Sequence, residues 1–185
     1  MRPTERILIT GASGSGKSTL GRALASARAA QFFDSDDFYW QPTNPPFEVK
    51  RDREDRVRLM RDVFVGFPKW VLSGSIMTWG EALLPELDLI VFLSAPTDLR
   101  LARLKARELQ LRGIEAIGPG GPDHEAHLEF IAWAAAYEGP AGDVLTRTRH
   151  EVWLRTVPCP VLRLNGDQPL DALVTEIASA LDDAS

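Results

Sequence analysis

A three-layer α/β domain with a mainly parallel, five-stranded sheet is the fold class the sequence predicts, and three observations carry it. Short β-branched or apolar runs alternate with segments of helical periodicity along the whole chain. Two of the runs, "WVLSG" (70–74) and "DLIVFL" (88–93), are almost continuously apolar, as strands covered on both faces should be. A glycine-rich turn separates the first run from the first helical segment.

Taken in order, "RILIT" (6–10) ends at glycine and reads as a buried strand. Leu20, Ala23, Leu24 and Ala27 then recur at helical spacing between Lys17 and about Arg28. "AQFF" (30–33) is the second strand. Residues 41–49, "QPTNPPFEV", hold three prolines and are expected to be irregular. A charged segment from Lys50 to about Val65 reads as an exposed helix, followed by the third and fourth strands. Residues 95–112 form a helix with Pro96 suited to its first turn and apolar stripes at Leu99, Leu101, Ala102, Leu104 and Leu109. "GIEAIGPGGPDHE" (113–125) is a break, and helices are expected over 126–137 and 143–155. "PVLRL" (160–164) is the fifth strand and 169–181 a closing helix. Residues 1–185 are thus read as one domain with two excursions, near 38–66 and 112–140.

Bulk composition narrows the function. Among 185 residues, 44% are hydrophobic and 25% charged, ordinary for a globular chain long enough to bury a core. The net charge of −5 argues against a nonspecific nucleic-acid partner, which would need a basic face. No apolar stretch reaches the length of a membrane span. The N-terminal apolar run is far shorter than that of a signal peptide. Cys159 is the single cysteine, which excludes an internal disulfide and a multi-cysteine metal site. Together these give the expectation of a cytoplasmic protein, monomer or homodimer, with no membrane or nucleic-acid partner.

Residues 11–18, "GASGSGKS", fit G-x-x-x-x-G-K-[ST], the phosphate-binding Walker A loop. Gly11 and Gly16 let the backbone curl round a phosphate, and Gly14 adds freedom. Ala12, Ser13 and Ser15 supply further loop N–H groups, and the helix N-terminus, with Thr19 in its first turn, favours the anion. Lys17 would reach the β- and γ-phosphates and the Ser18 hydroxyl would bind Mg²⁺, so ATP and Mg²⁺ are the expected cofactors. The metal's surroundings need a carboxylate as well. "DLIVFL" carries its aspartate, Asp88, at the wrong end, so the "DSDD" of residues 34–37, after the second strand, is the expected supplier.

Arg100, Arg103 and Arg107 fall at i, i+3 and i+7, on one face of the helix that leads into the glycine-rich break. Arginines there could close over a transferring phosphoryl group, Arg107 foremost and Arg103 next. Arg147 or Arg149 could add a second guanidinium. His124 and His127 have a spacing that could bind metal but lack further ligands, and His150 reads as structural. Trp40, Trp79 and Trp133 follow the acidic cluster, the glycine turn and the break. They could line an acceptor pocket or simply pack in the core.

With these motifs the chain resembles the P-loop small-molecule and nucleoside-monophosphate kinases over nearly its whole length. "FFDSDD" looks most like the D-x-D of shikimate and gluconate kinases, and "LSGS" (72–75) is similar to their acceptor-facing glycine turn. The whole chain also looks like bacterial adenylate kinase-like and topology-modulation-like proteins. The resemblance implies a phosphotransferase moving the γ-phosphate of ATP to a small molecule. It implies Asp34 on a magnesium-bound water, Asp36 as base on the acceptor hydroxyl, an acceptor-binding insertion over 38–66 and a lid over 112–140. "LNGDQP" (164–169) is where related kinases place the adenine. Adenylate kinases carry an arginine in the motif after the third strand, and "SGSIMTWG" has none. The alternatives are a nucleoside monophosphate kinase and a nucleotide-switch ATPase without a small-molecule acceptor.

Overall fold

The computed structural model describes residues 4–44, 46–140 and 145–183. Five strands, β1 (Glu5–Thr10), β2 (Gln31–Asp34), β3 (Lys69–Ser73), β4 (Leu89–Ser94) and β5 (Val161–Asn165), form one sheet in the order β2-β3-β1-β4-β5. Every pairing is parallel. The expected sheet is therefore present, with β2, β4 and β5 each shifted one residue toward the C-terminus. Asp88 lies just before β4, where its carboxylate accepts from the Arg6 backbone N–H.

Alternation along β1 divides the core. Ile7 and Ile9 face α1 (Lys17–Ala27) and the closing helix, with Leu20, Leu24, Leu173 and Ile177. Leu8 points the other way, into a larger cluster with Phe64, Trp70, Leu72, Ile76, Phe92 and Trp153. The second face is built around aromatic rings: Phe33 stacks on Phe64 at 4.3 Å, and Trp70 meets Phe64 edge-on at 5.0 Å.

The acidic stretch is not a turn. Residues Ser35–Tyr39 form a short helix, α2, which Asp34 caps by accepting from the Asp36 N–H at 3.2 Å. The charged segment gives α3 (Arg53–Met60) and then a π-turn over Arg61–Val65 that carries Phe64 and Val65 inward. The proline-bearing 41–49 segment is pinned by an isolated antiparallel bridge, Trp40 to Lys50. A 3₁₀ segment, Glu81–Glu86, precedes β4.

Beyond β4, α4 (Thr97–Arg112) runs into a short helix, α5 (Ile114–Ile117), within the expected break. Next come α6 (His124–Ala135), a 3₁₀ turn over Ala136–Glu138, α7 (Arg147–Leu154) and α8 (Leu170–Asp183). The expected start of α7 at residue 143 falls outside the described residues. Its first described turn is capped by the Thr146 side chain.

Candidate nucleotide and acceptor site

The order β2-β3-β1-β4-β5 puts the central strand's C-terminal end between Ser73 of β3 and Ser94 of β4. A glycine-rich loop leaving that point opens into the crevice where parallel α/β sheets bind ligands. Gly11, Ala12, Ser13, Gly14, Ser15 and Gly16 make that loop, and Lys17, Ser18 and Thr19 begin α1 behind it. Gly14 has φ +80°, and a Cβ there would fall within 2.5 Å of the Arg100 carbonyl oxygen. The loop thus packs directly on α4, at a distance only glycine permits.

Three of the loop's carbonyls are held by side-chain donors. Lys17 Nζ donates to the Ala12 carbonyl at 2.7 Å. Arg100 donates to Ser13 O at 3.2 Å, and Arg103 to Ser15 O at 3.4 Å. With those carbonyls engaged, loop N–H groups remain to meet an anion, as polyphosphate binding requires. Lys17 is pushed down to about 8, by desolvation first and then by Arg107 and Arg100, against the pull of Asp36 and Asp34. A bound polyphosphate would supply the anion that stabilises its charge and raises its pKa again.

Asp34 closes the loop's other flank. Its Oδ2 accepts from Ser18 Oγ at 2.9 Å, and Ser18 Oγ lies 3.0 Å from Ser73 Oγ. One hydroxyl of the loop, one carboxylate and a second hydroxyl therefore meet at the ends of β1, β2 and β3. That donor set suits Mg²⁺, which keeps most of its waters and takes few protein ligands. Among the described residues no group of three or more His, Cys, Asp or Glu side chains forms a metal cage. His124 instead sits 2.8 Å from the Ile117 carbonyl, and His127 lies 3.9 Å from Glu108.

Asp36 and Asp37 diverge. Asp36 interacts with Lys17 and Arg107, and desolvation together with Asp34 raises its pKa above the ordinary carboxylate value. Asp37 is raised by desolvation and Asp34 and faces Arg22 of α1. Gly74, at φ +122°, has no room for a Cβ because Ser35 Oγ occupies that space. The glycine turn after β3 thus packs on the first residue of α2 and sets its position.

The arginines of α4 do not share one environment. Arg100 is fully buried beneath the loop and does not reach the cleft, contrary to the expectation from its spacing. Arg103 donates to Gly166 O at 3.1 Å as well as to Ser15 O, joining the loop to the segment after β5. Gly166 N–H in turn donates to Ser94 O at 2.6 Å. Arg107 lies over the Phe130 ring of α6 at 6.0 Å while acting on Lys17 and Asp36. Arg147 pairs with Glu138 at 3.6 Å beside a cleft of about 430 Å³ lined also by Ser94, Thr97 and Asn165.

Arg56, expected on a solvated helix face, is buried. Its guanidinium lies 3.8 Å from the Tyr39 ring and 5.5 Å from that of Trp79, and its Nε donates to the Arg51 carbonyl. The tryptophans separate too. Trp79 is buried and donates to Ser75 O, Trp40 packs against Tyr39, and Trp133 stacks on Phe130 on the exposed surface of α6. No periodic apolar signal marks Arg56, because its partners are two rings from other elements.

A family model described as an AAA domain matches residues 7–127. The Bacillus subtilis (strain 168) protein YqaC is 37% identical over 177 residues, covering 96% of this chain and 97% of its own length. Among solved structures, shikimate kinase from Bacteroides thetaiotaomicron superimposes with a TM-score of 0.59 at 20% identity, covering 96% of this chain and 98% of that one. A gluconokinase from Sinorhizobium meliloti superimposes with a TM-score of 0.54 at 19% identity, covering 100% and 95%. The fold of the chain is that of the P-loop kinases.

Proposed function

The chain belongs to the AAA domain family, and we propose that it is an ATP–Mg²⁺-dependent phosphotransferase acting on a small-molecule acceptor. One observation carries the reading. The Lys17 ammonium is held on the Ala12 carbonyl of the glycine-rich loop, Ser18 beside it hydrogen-bonds Asp34, and the charges of Asp36 and Arg107 both act on that ammonium.

In this reading the loop N–H groups of residues 11–19 and Lys17 hold the donor phosphates, and Ser18 with Asp34 holds Mg²⁺ and its water. Mg²⁺ bound there would supply positive charge to offset that of the donor phosphates. Asp36, its pKa raised, accepts the proton of the acceptor hydroxyl as that oxygen bonds to the γ-phosphorus and the bond from that phosphorus to the β–γ bridging oxygen breaks, releasing ADP. Arg107 neutralises charge on the transferring group. Arg103, fixed between the loop and Gly166, serves the nucleoside side, along residues 164–169, rather than the transfer itself. The 38–66 excursion takes the acceptor, and 112–140 acts as the lid that excludes water.

Arg56 extends the reading to the acceptor. Its two terminal amino groups make no hydrogen bond among the described residues, while Tyr39 and Trp79 hold the guanidinium in place. Tyr39 is three residues beyond Asp36 on α2, so both lie on one helix face. An acceptor carrying an anionic group as well as a hydroxyl fits that pair.

The test is a transfer screen with γ-labelled ATP over sugars, sugar acids, nucleosides and nucleoside monophosphates, with a Lys17→Ala control. Label transferred to one acceptor class, and lost in the control, is the expected result. Transfer only to nucleoside monophosphates would select the adenylate-type alternative. Hydrolysis stimulated by a macromolecule, with no acceptor labelled, would select the switch ATPase.

A further inference from the structure

Arg100 has no role in the transfer scheme, yet it is among the largest fully buried side chains of the molecule. Its Nη1 donates to Ser13 O in the phosphate loop and to Ala134 O at the end of α6, both at 3.2 Å. Nη2 donates to Thr97 Oγ1 at 3.2 Å, and the Tyr137 ring lies 5.2 Å from the guanidinium carbon. The Tyr137 hydroxyl is 2.8 Å from His150 Nδ1, and His150 Nε2 is 3.3 Å from Thr10 Oγ1, just before the loop.

This buried guanidinium has no ion pair among the described residues, and its Nε has no hydrogen-bond partner. Glu138 is the carboxylate that acts on it, from a distance. A buried charge without a contacting counter-ion is costly, and an apolar side chain of similar volume would ordinarily serve stability better. Neutral hydrogen-bond acceptors alone do not account for choosing arginine. What lies on the far side of the Ser13 peptide does: the concave face of the loop, built for several negative charges. Polarised by Arg100 at its oxygen, that peptide presents a more positive N–H side to the anion.

We propose that Arg100 is a positioning residue for the polyphosphate, acting through the Ser13 peptide and supplying from below the charge that the bound phosphates complete. The inference rests on the nucleotide-site reading above. Tyr137 and His150 seat the guanidinium and tie it to the lid stem at Ala134.

Stability and affinity should therefore move independently when Arg100 is changed. A folded Arg100→Met protein, without nucleotide, should melt no lower than wild type, because the unpaired charge is gone. Its dissociation constants for ADP–Mg²⁺ and inorganic tripolyphosphate should rise by about tenfold to a hundredfold. Arg100→Lys, which keeps the charge but not the fork, should lie between the two. It carries the test if Arg100→Met does not fold. Calorimetric titration with each probe and thermal melts of the same samples measure both quantities. A folded variant that melts far lower yet binds both probes as wild type does would make Arg100 purely structural and overturn the proposal. Wild type that binds neither probe would instead remove the nucleotide-site reading on which it rests.

Discussion

The β2–α2 corner and helix α4 both act on the charge of Lys17, with opposite sign, and each carries a triplet of like charges. On the acidic side the division is made within one turn. Asp34 ends the strand and caps the helix, Asp36 addresses Lys17 and Arg107, and Asp37 addresses Arg22. On the basic side three arginines share a helix face but differ in depth. A rise of about 1.5 Å per residue sets Arg107 about 10 Å beyond Arg100 along the axis. The first arginine is therefore buried under the loop, the second reaches Ser15 O and Gly166 O, and the third lies exposed over the Phe130 ring. Spacing gives the direction in which a side chain points, and position along the axis decides what it meets.

The widest separation is expected between neighbouring aspartates. Asp36→Asn keeps the shape of α2 and removes the base, so acceptor phosphorylation should fall by roughly 10²–10⁴-fold while ATP binding survives. Asp37→Asn, one residue on, should cost little. Steady-state rates and nucleotide titrations on both variants measure this. If Asp37 proves the critical residue, the register of the acidic side is wrong by one position.

The basic side should divide by kinetic parameter. Arg107→Lys should lower kcat by roughly 10²–10³-fold, since a guanidinium aimed at developing charge is lost. Arg103→Lys should act mainly on KM for ATP, by about tenfold, because Arg103 holds the loop and the Gly166 segment together. Equal losses of kcat in both variants would dissolve the distinction that depth along α4 creates.

The two sides also differ in how much of them the sequence exposes. The phosphate loop, the strands and the acidic stretch are local patterns, and each is found where it was expected. The cap that makes Ser35–Tyr39 a helix was there to read, in an aspartate followed by two acids in the first turn, but strand and turn signals masked it. Arg100 left no such trace. Its acceptors, Ser13 O and Ala134 O, are backbone atoms 87 and 34 residues away, and any residue could provide them. Arg56 is hidden in the same way, by rings contributed from α2 and from the turn after β3. Long-range contacts of a charged side chain with backbone or aromatic faces have no periodicity to reveal them.

The two sides should also divide in stability, responding to acid with opposite sign. Asp36 and Asp37 have raised pKa values in the fold, so the native state binds more protons than the unfolded chain just above pH 3.8. Protonating them relieves their repulsion with Asp34, and stability from this side rises as pH falls through that window. His150, beneath the basic side, is held down to about 4, by burial first and by Lys17 next. Here the unfolded chain binds more protons between 6.5 and about 4, so stability is full above 6.5 and is lost as pH falls toward 4. That interval corresponds to about 3 kcal/mol, or several degrees in Tm for a chain of this size. His150→Gln keeps a side chain that can hydrogen-bond to Tyr137 and Thr10 but cannot titrate. Melting temperatures from pH 7 to 4.5 should therefore fall more steeply for wild type than for His150→Gln, and adding Asp36→Asn should leave that difference in place. Parallel curves for wild type and His150→Gln would mean that the histidine takes up its proton in the fold at the same pH as in the unfolded chain. The hydrogen bonds joining Tyr137 to Thr10 through His150 would then have to be reassigned with an imidazolium donating to both hydroxyls.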